Sequence, residues 1–139
     1  GHARGLLEDV VTYAKETTYD GKPLFHVPQV RSKLAAAVDI EACRPAAYRV
    51  AWLREQGLNP IYQASMSKVQ GSEMWQRFAN TALQVLGLYG SLEPGSTAVP
   101  LKGRIEEAYI ASVSETIYMG TSEIQRNIIA TRGLGLPRG

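Results

Sequence analysis

The sequence predicts an all-α fold: an up-down-up-down four-helix bundle closed by a short C-terminal helix. Three observations lead there. Apolar residues recur every three or four positions through four long stretches, the spacing that gives a helix one buried face. No stretch alternates apolar and polar residues between turn signals as a strand does, and no internal repeat is evident. The connections between the stretches are short, which places consecutive helices antiparallel. At 139 residues the chain is one domain's worth. Trp52, Trp75, Phe78 and the aliphatic stripes supply enough apolar surface for a core, and any apolar face left over would serve subunit contacts.

Leu6, Leu7, Val10, Val11 and Ala14 share one face of a first helix over about residues 6–16, and Asp20, Gly21 and Pro23 end it. A connector at 24–28 leads to a second helix. Val30, Leu34, Ala37 and Val38 mark its stripe, and it runs to about Gln56 before Gly57 stops it. Pro45 falls inside that pattern and predicts a kink at 41–45, because proline lacks the N–H and clashes with the preceding turn. Asn59 as N-cap with Pro60 at the first helical position starts a third helix. Its buried stripe is Val69, Ser72, Trp75, Ala79, Ala82, Leu83 and Leu86, and Glu73 and Arg77 are spaced for a surface ion pair. That helix ends at 87–90, and the turn-rich stretch at 93–100 is a loop. Leu101, Ile105, Ala108, Tyr109, Val113 and Ile117 form a fourth helix, and 122–131 a shorter fifth.

Composition narrows the function. A net charge of +2 with both signs interspersed offers no basic patch, so nucleic acid is not an expected partner. The lone Cys43 cannot form an internal disulfide and reads as a small buried residue. There is no signal-peptide pattern and no apolar run long enough for a membrane span, so the expected compartment is the cytoplasm. Gly1-His2 ahead of an uncapped helical pattern reads as a tag remnant on a piece of a longer protein. His2 and His26 lack ligand partners and are expected at the surface, while Tyr13, Tyr48 and Tyr62 are packing groups. No metal motif, Ser/His/Asp constellation or complete phosphate loop is present.

The C-terminal run carries the chemistry. Gly120 can turn the chain at positive φ, and Ser122 with Gln125 has capping-box spacing, so a helix begins here with Ile124 and Ile128 on one face. A helix start offers unpaired N–H groups and a positive dipole end, so the 120–123 loop suits an anion such as a diphosphate. It is equally an ordinary corner between two helices, and the residues alone leave both readings open.

The string Tyr-Met-Gly-Thr-Ser-Glu-Ile-Gln-Arg-Asn-Ile-Ile-Ala at 118–130, followed by Leu-Gly-Leu-Pro-Arg at 134–138, resembles the C-terminal end of acyl-CoA dehydrogenases. All of 1–139 is similar to that family's C-terminal helical domain, entered partway along its first helix, without the N-terminal helical and middle β domains. The resemblance implies FAD held between the β domain and the helical bundle, with part of its diphosphate and adenosine held by a neighbouring subunit. It implies an acyl-CoA substrate, with hydride passing from the β-carbon to the flavin while a glutamate removes the α-proton. A homo- or hetero-oligomer is implied too, and an isolated chain that is inactive.

Residue by residue, Tyr118, Gly120, Thr121, Glu123 and Gln125 match the stretch that lies against the flavin and its adenosine half. Gln84 and Gly87 match a Gln-x-x-Gly-Gly segment that approaches the diphosphate across a subunit boundary, with Leu88 in place of the second glycine. A leucine side chain there should obstruct a phosphate; on the residues alone, Gln84 and Gly87 equally well just end a buried helix. Thr17 stands where the family has an arginine and Asp20 where it has a phenylalanine, which weakens a diphosphate site. The family's glutamate position holds Met119, which has no titratable proton, so the chain nominates no catalytic residue. Glu115 and Glu123 read as helix-surface or capping charges, and other branches carry the base on the first helix, upstream of this chain. Three readings follow: a dehydrogenase domain, a non-catalytic partner subunit with a degenerate FAD site similar to actinobacterial steroid side-chain members, and a plain helical interaction module.

Overall fold

The computed structural model describes residues 1–35 and 37–138. Four long helices form the bundle: α1 (His2–Glu16), α3 (Val38–Glu55), α4 (Ile61–Leu86) and α5 (Arg104–Glu115). Two shorter ones, α2 (Pro28–Ala35) and α6 (Ser122–Ile128), complete the helical set, and a π-type turn, Ile129–Gly133, follows α6. The central element is α4, which packs against α1, α2, α3, α5 and α6. Leu6, Val10, Ala14, Phe78, Ala82, Val85, Leu86, Ile105 and Ala108 meet in one core. Fully burying a Leu or Ile contributes about 2 kcal/mol, which makes Leu6 and Ile105 its strongest anchors.

Several expectations are corrected. A two-stranded antiparallel hairpin, β1 (Thr18–Tyr19) with β2 (Lys22–Pro23), follows α1. Asp20 (φ 50°) and Gly21 (φ 72°) make its turn; Asp-Gly is a hairpin signal, but strands of two residues show no alternation to read. The expected second helix is two helices, α2 and α3, and the continuous reading also crosses Ala36, outside the described residues. At the break the Ala37 N–H donates to the Leu34 carbonyl (3.0 Å) and the Ile40 N–H to that of Ala37 (2.9 Å), three-residue bonds that tighten the chain and turn Val38 outward. Pro45 breaks nothing, because it lies on the exposed face of α3, where water can serve the Glu41 carbonyl.

Asn59 does not cap α4; buried Pro60 holds that position, and α4 begins at Ile61. Within α4, Ser72, Ala79, Ala82 and Leu86 are buried as expected, but Met74, Phe78 and Val85 are buried too, since neighbours cover more than one face. Glu73 and Arg77 do not pair with each other: Arg77 bonds Asp39 of α3 (3.3 Å) and Glu73 bonds Arg126 of α6 (2.6 Å), cross-helix partners that the linear spacing cannot reveal. Leu101 lies outside the fourth helix, because Leu101, Lys102 and Gly103 all take positive φ in a 3-10 turn, Pro100–Gly103. Any side chain on Gly103 would run into Pro94, which fixes that turn against the 93–100 loop. The fifth helix is α-helical to Ile128 and continues as a π-helical turn over Ile129–Gly133, so it covers the expected 122–131. Among the described residues no helix is long and apolar enough to cross a membrane.

Candidate cofactor site

Two regions carry the residues singled out by sequence, and both hang on α4. The first is the turn into α6. Met119 (φ 55°) and Gly120 (φ 90°) are consecutive left-handed residues that reverse the chain after α5. Thr121, not Ser122, is the N-cap: its Oγ1 accepts from the Ile124 N–H at 3.3 Å. Gln125 does reach back, but to the Met119 carbonyl, to which its Nε2 donates at 2.9 Å. A side chain on Gly120 would sit 2.7 Å from that Nε2, so only glycine leaves the carboxamide room. Sequence spacing was off by one residue, because Thr-Ser offers two adjacent hydroxyls and the choice depends on the backbone of the turn.

The reading of this loop as an anion cradle is corrected by its hydrogen bonds. The Ser122 N–H donates to the Thr116 carbonyl (3.1 Å), the Gln125 N–H to that of Thr121 (2.9 Å), and the Ile124 N–H to the Thr121 side chain. Glu123 takes its own N–H, and the Thr121 hydroxyl donates to the same carboxylate. These bonds, with smaller help from Arg126 and Lys68, hold the Glu123 carboxyl below its ordinary range. A helix start whose amides are engaged and whose mouth carries a carboxylate does not fit a phosphate. Beside that helix start, Tyr118 and Met119 are exposed. The Tyr118 hydroxyl is bonded to Glu115, which raises its pKa and keeps it protonated.

Beneath the turn, a groove of about 410 Å³ runs between α4 and α6, lined by Glu73, Gln76, Arg77, Thr121, Ser122 and Arg126 among others. The Glu73–Arg126 pair clamps the two helices across it. Ser122 is buried with an unpartnered hydroxyl, and the Lys68 ammonium on α4 is likewise buried without a hydrogen-bond partner. No sequence signal marks either residue, because orphaned burial is a property of packing.

The second region is the C-terminal end of α4. Glu73 and Gln84 are separated by roughly 16 Å of helix axis at the α-helical rise, so the Gly120 turn and the Gln84–Gly87 end do not converge within one chain. Gly87 takes φ 62° and has open space where a side chain would be. Leu88 is 90% exposed. The Gln84 Oε1 accepts from the Lys33 Nζ of α2 at 2.5 Å, a partner 51 residues away in sequence. Thr17 is the C-cap of α1, its N–H bonded to the Tyr13 carbonyl, and Asp20 holds the left-handed corner of the hairpin. Both therefore have local structural roles. His2 and His26 are exposed, with His2 edge-on to Trp75 at 5.1 Å, and Cys43 is only half-buried, its thiol pKa raised mainly by that burial.

Comparison with known proteins places this architecture. The chain matches the family model "Acyl-CoA dehydrogenase, C-terminal domain" over residues 1–134. It is 35% identical over 136 residues to an acyl-CoA dehydrogenase of Bacillus subtilis, covering 97% of this chain and 34% of that protein. Against human mitochondrial short-chain specific acyl-CoA dehydrogenase the identity is 34%, covering 94% of this chain and 30% of the relative. Among solved structures, it superposes with a TM-score of 0.91 and 30% identity on a chain of the ChsE4–ChsE5 complex from Mycobacterium tuberculosis, covering 99% of this chain and 36% of that one. A Tcur3481–Tcur3483 steroid ACAD gives 0.90 at 30% identity, with 99% and 35% covered. The chain thus spans about a third of the length of the curated relatives it matches. A helical bundle of this shape, with this turn into its last helix, belongs to the acyl-CoA dehydrogenase family, as its C-terminal domain.

Proposed function

We propose that this chain is the C-terminal helical domain of a cytoplasmic flavoprotein that dehydrogenates a CoA thioester between its α and β carbons, with FAD lying against the 118–125 turn. The observation that carries the reading is the locked turn itself. Gln125, folded under Gly120 onto the Met119 carbonyl, and Thr121, capping α6, hold a neutral and rigid surface in place. FAD, when bound, supplies the acceptor for the hydride that leaves the substrate β-carbon. This chain's part is positional: Tyr118, Gly120, Thr121 and Gln125 orient the cofactor's neutral face, while Glu123 keeps phosphate away from the helix start. Gln84 and Gly87, at the far end of α4, suit the diphosphate of a second cofactor held across a subunit boundary in a homo- or hetero-oligomer. Met119 offers no proton acceptor, so α-proton removal falls to a carboxylate outside this turn.

A second reading is favoured by Thr17, Leu88 and Met119, three departures at flavin or base positions. On that reading the parent is a non-catalytic partner of an unlike subunit. Two structural neighbours, the ChsE4–ChsE5 complex and the Tcur3481–Tcur3483 steroid ACAD, are named as pairs of proteins, in keeping with such a pairing.

The deciding experiment is purification of the full-length parent alone, with its visible spectrum, release of flavin by denaturation, and dye reduction by a series of acyl-CoA thioesters. About one FAD per subunit with dye reduction supports the dehydrogenase reading. A colourless, inert protein that becomes active only with a co-expressed homologue rejects it in favour of the partner reading.

A further inference from the structure

Helix α3 touches the bundle along a narrow strip. Within it only Ile40 and Leu53 are buried, so most of the helix stands clear of its neighbours. The outer side carries Val38, Glu41, Pro45, Tyr48 and Trp52, all exposed and spaced by three or four residues, which keeps them on one face. Val38, Tyr48 and Trp52 are each more than half exposed, apolar area that a covering surface would take out of water. The face is also organised about its middle. Val38 and Trp52 lie seven residues either side of Pro45, and Glu41 and Arg49 lie four. Two copies of α3 running antiparallel and crossing at Pro45 therefore set a small apolar side chain against a large one at each end. They also bring a carboxylate to the level of a guanidinium twice over. Arg49 is exposed and forms no ion pair among the described residues. Glu41 meets Arg44 at 2.9 Å and Arg4 at 3.8 Å, exposed pairs that leave its carboxylate within reach of a further cation. Pro45 has no N–H, so the Glu41 carbonyl lacks its helical donor, and a guanidinium from across the axis can serve it. A pattern that complements itself when reversed singles out a second copy as the occupant.

We propose that the exposed face of α3 is an interface with a second copy of this chain, formed by antiparallel pairing of the two α3 helices about a two-fold axis at Pro45. The inference stands apart from the cofactor reading, since it uses no residue of the α6 turn or of the C-terminal end of α4. In a two-fold pair every contact occurs twice, so one substitution acts at two places. One helix from each copy makes a small interface, at the low end of the range for specific contacts, so the pairing is reversible and depends on concentration.

Sedimentation velocity of the 139-residue chain over a wide concentration range should show a monomer–dimer equilibrium. Trp52→Glu should weaken it by about tenfold or more, the scale for losing an aromatic anchor, with the circular dichroism spectrum unchanged because Trp52 is exposed in the single chain. Glu41→Arg and Arg49→Glu should each weaken it, and the two together should restore it. Two turns of helix keep residues 41 and 49 apart within one chain, so that rescue reports a contact between copies. In a Cys43→Ser background, Pro45→Cys should form a disulfide-linked dimer on mild oxidation far faster than Ala47→Cys, which lies off the face. A chain that stays monomeric, a dimer indifferent to Trp52→Glu, a double variant no better than the singles, or linking as fast in Ala47→Cys as in Pro45→Cys would overturn the proposal. The Pro45→Cys variant of the full-length parent tests the other occupants. A thiol shielded from alkylation yet never linked would give the face to the parent's further domains, and linking only to a co-expressed homologue would give it to an unlike subunit; either result overturns self-pairing. None of these readouts uses flavin, so a parent that proves flavin-free counts against the functional reading alone.

Discussion

The middle of α4, where the α6 turn lies beside Glu73, and its C-terminal end make opposite use of similar residues. At the α6 turn a glycine, a threonine and a glutamine are bound to one another: Gly120 makes room, Gln125 fills it, and Thr121 caps the helix. At the Gln84 end a glutamine and a glycine stand open, with a lysine from another helix bonded to the glutamine. A closed set of hydrogen bonds is rigid and presents shape, whereas an open set with uncompensated charge presents affinity. The first suits a flat neutral group and the second an anion. Similar residue types therefore say little about which part of a ligand they serve until their partners are known.

The sharpest way to break the contrast is at its two glycines. Gly120→Ala adds a side chain against Gln125 and strains a residue at φ 90°, so it should cost about 3 kcal/mol in urea unfolding, the sum of backbone strain and one lost hydrogen bond. Gly87→Ala meets only the strain of φ 62° and should cost about 2 kcal/mol. Equal costs would mean that the Gln125 lock contributes nothing.

Next in size is an effect on binding. In the full-length parent, Thr17→Arg with Leu88→Gly should tighten flavin by about tenfold or more if the open end takes the diphosphate, read by flavin-fluorescence titration. No change would show that this end is not a cofactor surface. Smaller again is Thr121→Ala, which removes the α6 cap and should cost about 1 kcal/mol in urea unfolding; Ser122→Ala, with no bond to lose, should be neutral or stabilising.

The smallest effect is a pH dependence. Because the folded-state pKa of Glu123 lies below its ordinary value of 4.5, its contribution is fully present above that value and is lost as pH falls through the folded one. Thermal melts from pH 7 down to pH 3 should therefore lose slightly less stability in Glu123→Gln than in the parent chain. An identical profile would show that the carboxylate does not hold the turn closed.

The sequence by itself determined the class of the fold, because the apolar spacing of Leu6, Val10 and Ala14 and of Ser72, Ala79, Ala82 and Leu86 admits only helices with a buried face. It also determined the local chemistry of the 118–125 string, since a glycine that must turn and a threonine that caps act over a few residues. Tertiary structure decided where the second helix breaks, because at Ala37 core packing takes precedence over the helix-breaking signal of a surface proline at 45. It decided that Glu73 serves Arg126 and that Lys33 serves Gln84, pairings 53 and 51 residues apart that no periodicity encodes. The physical reason is range. Backbone turns and caps are fixed by neighbours along the chain, whereas the charge at a site is the sum over every helix that packs there.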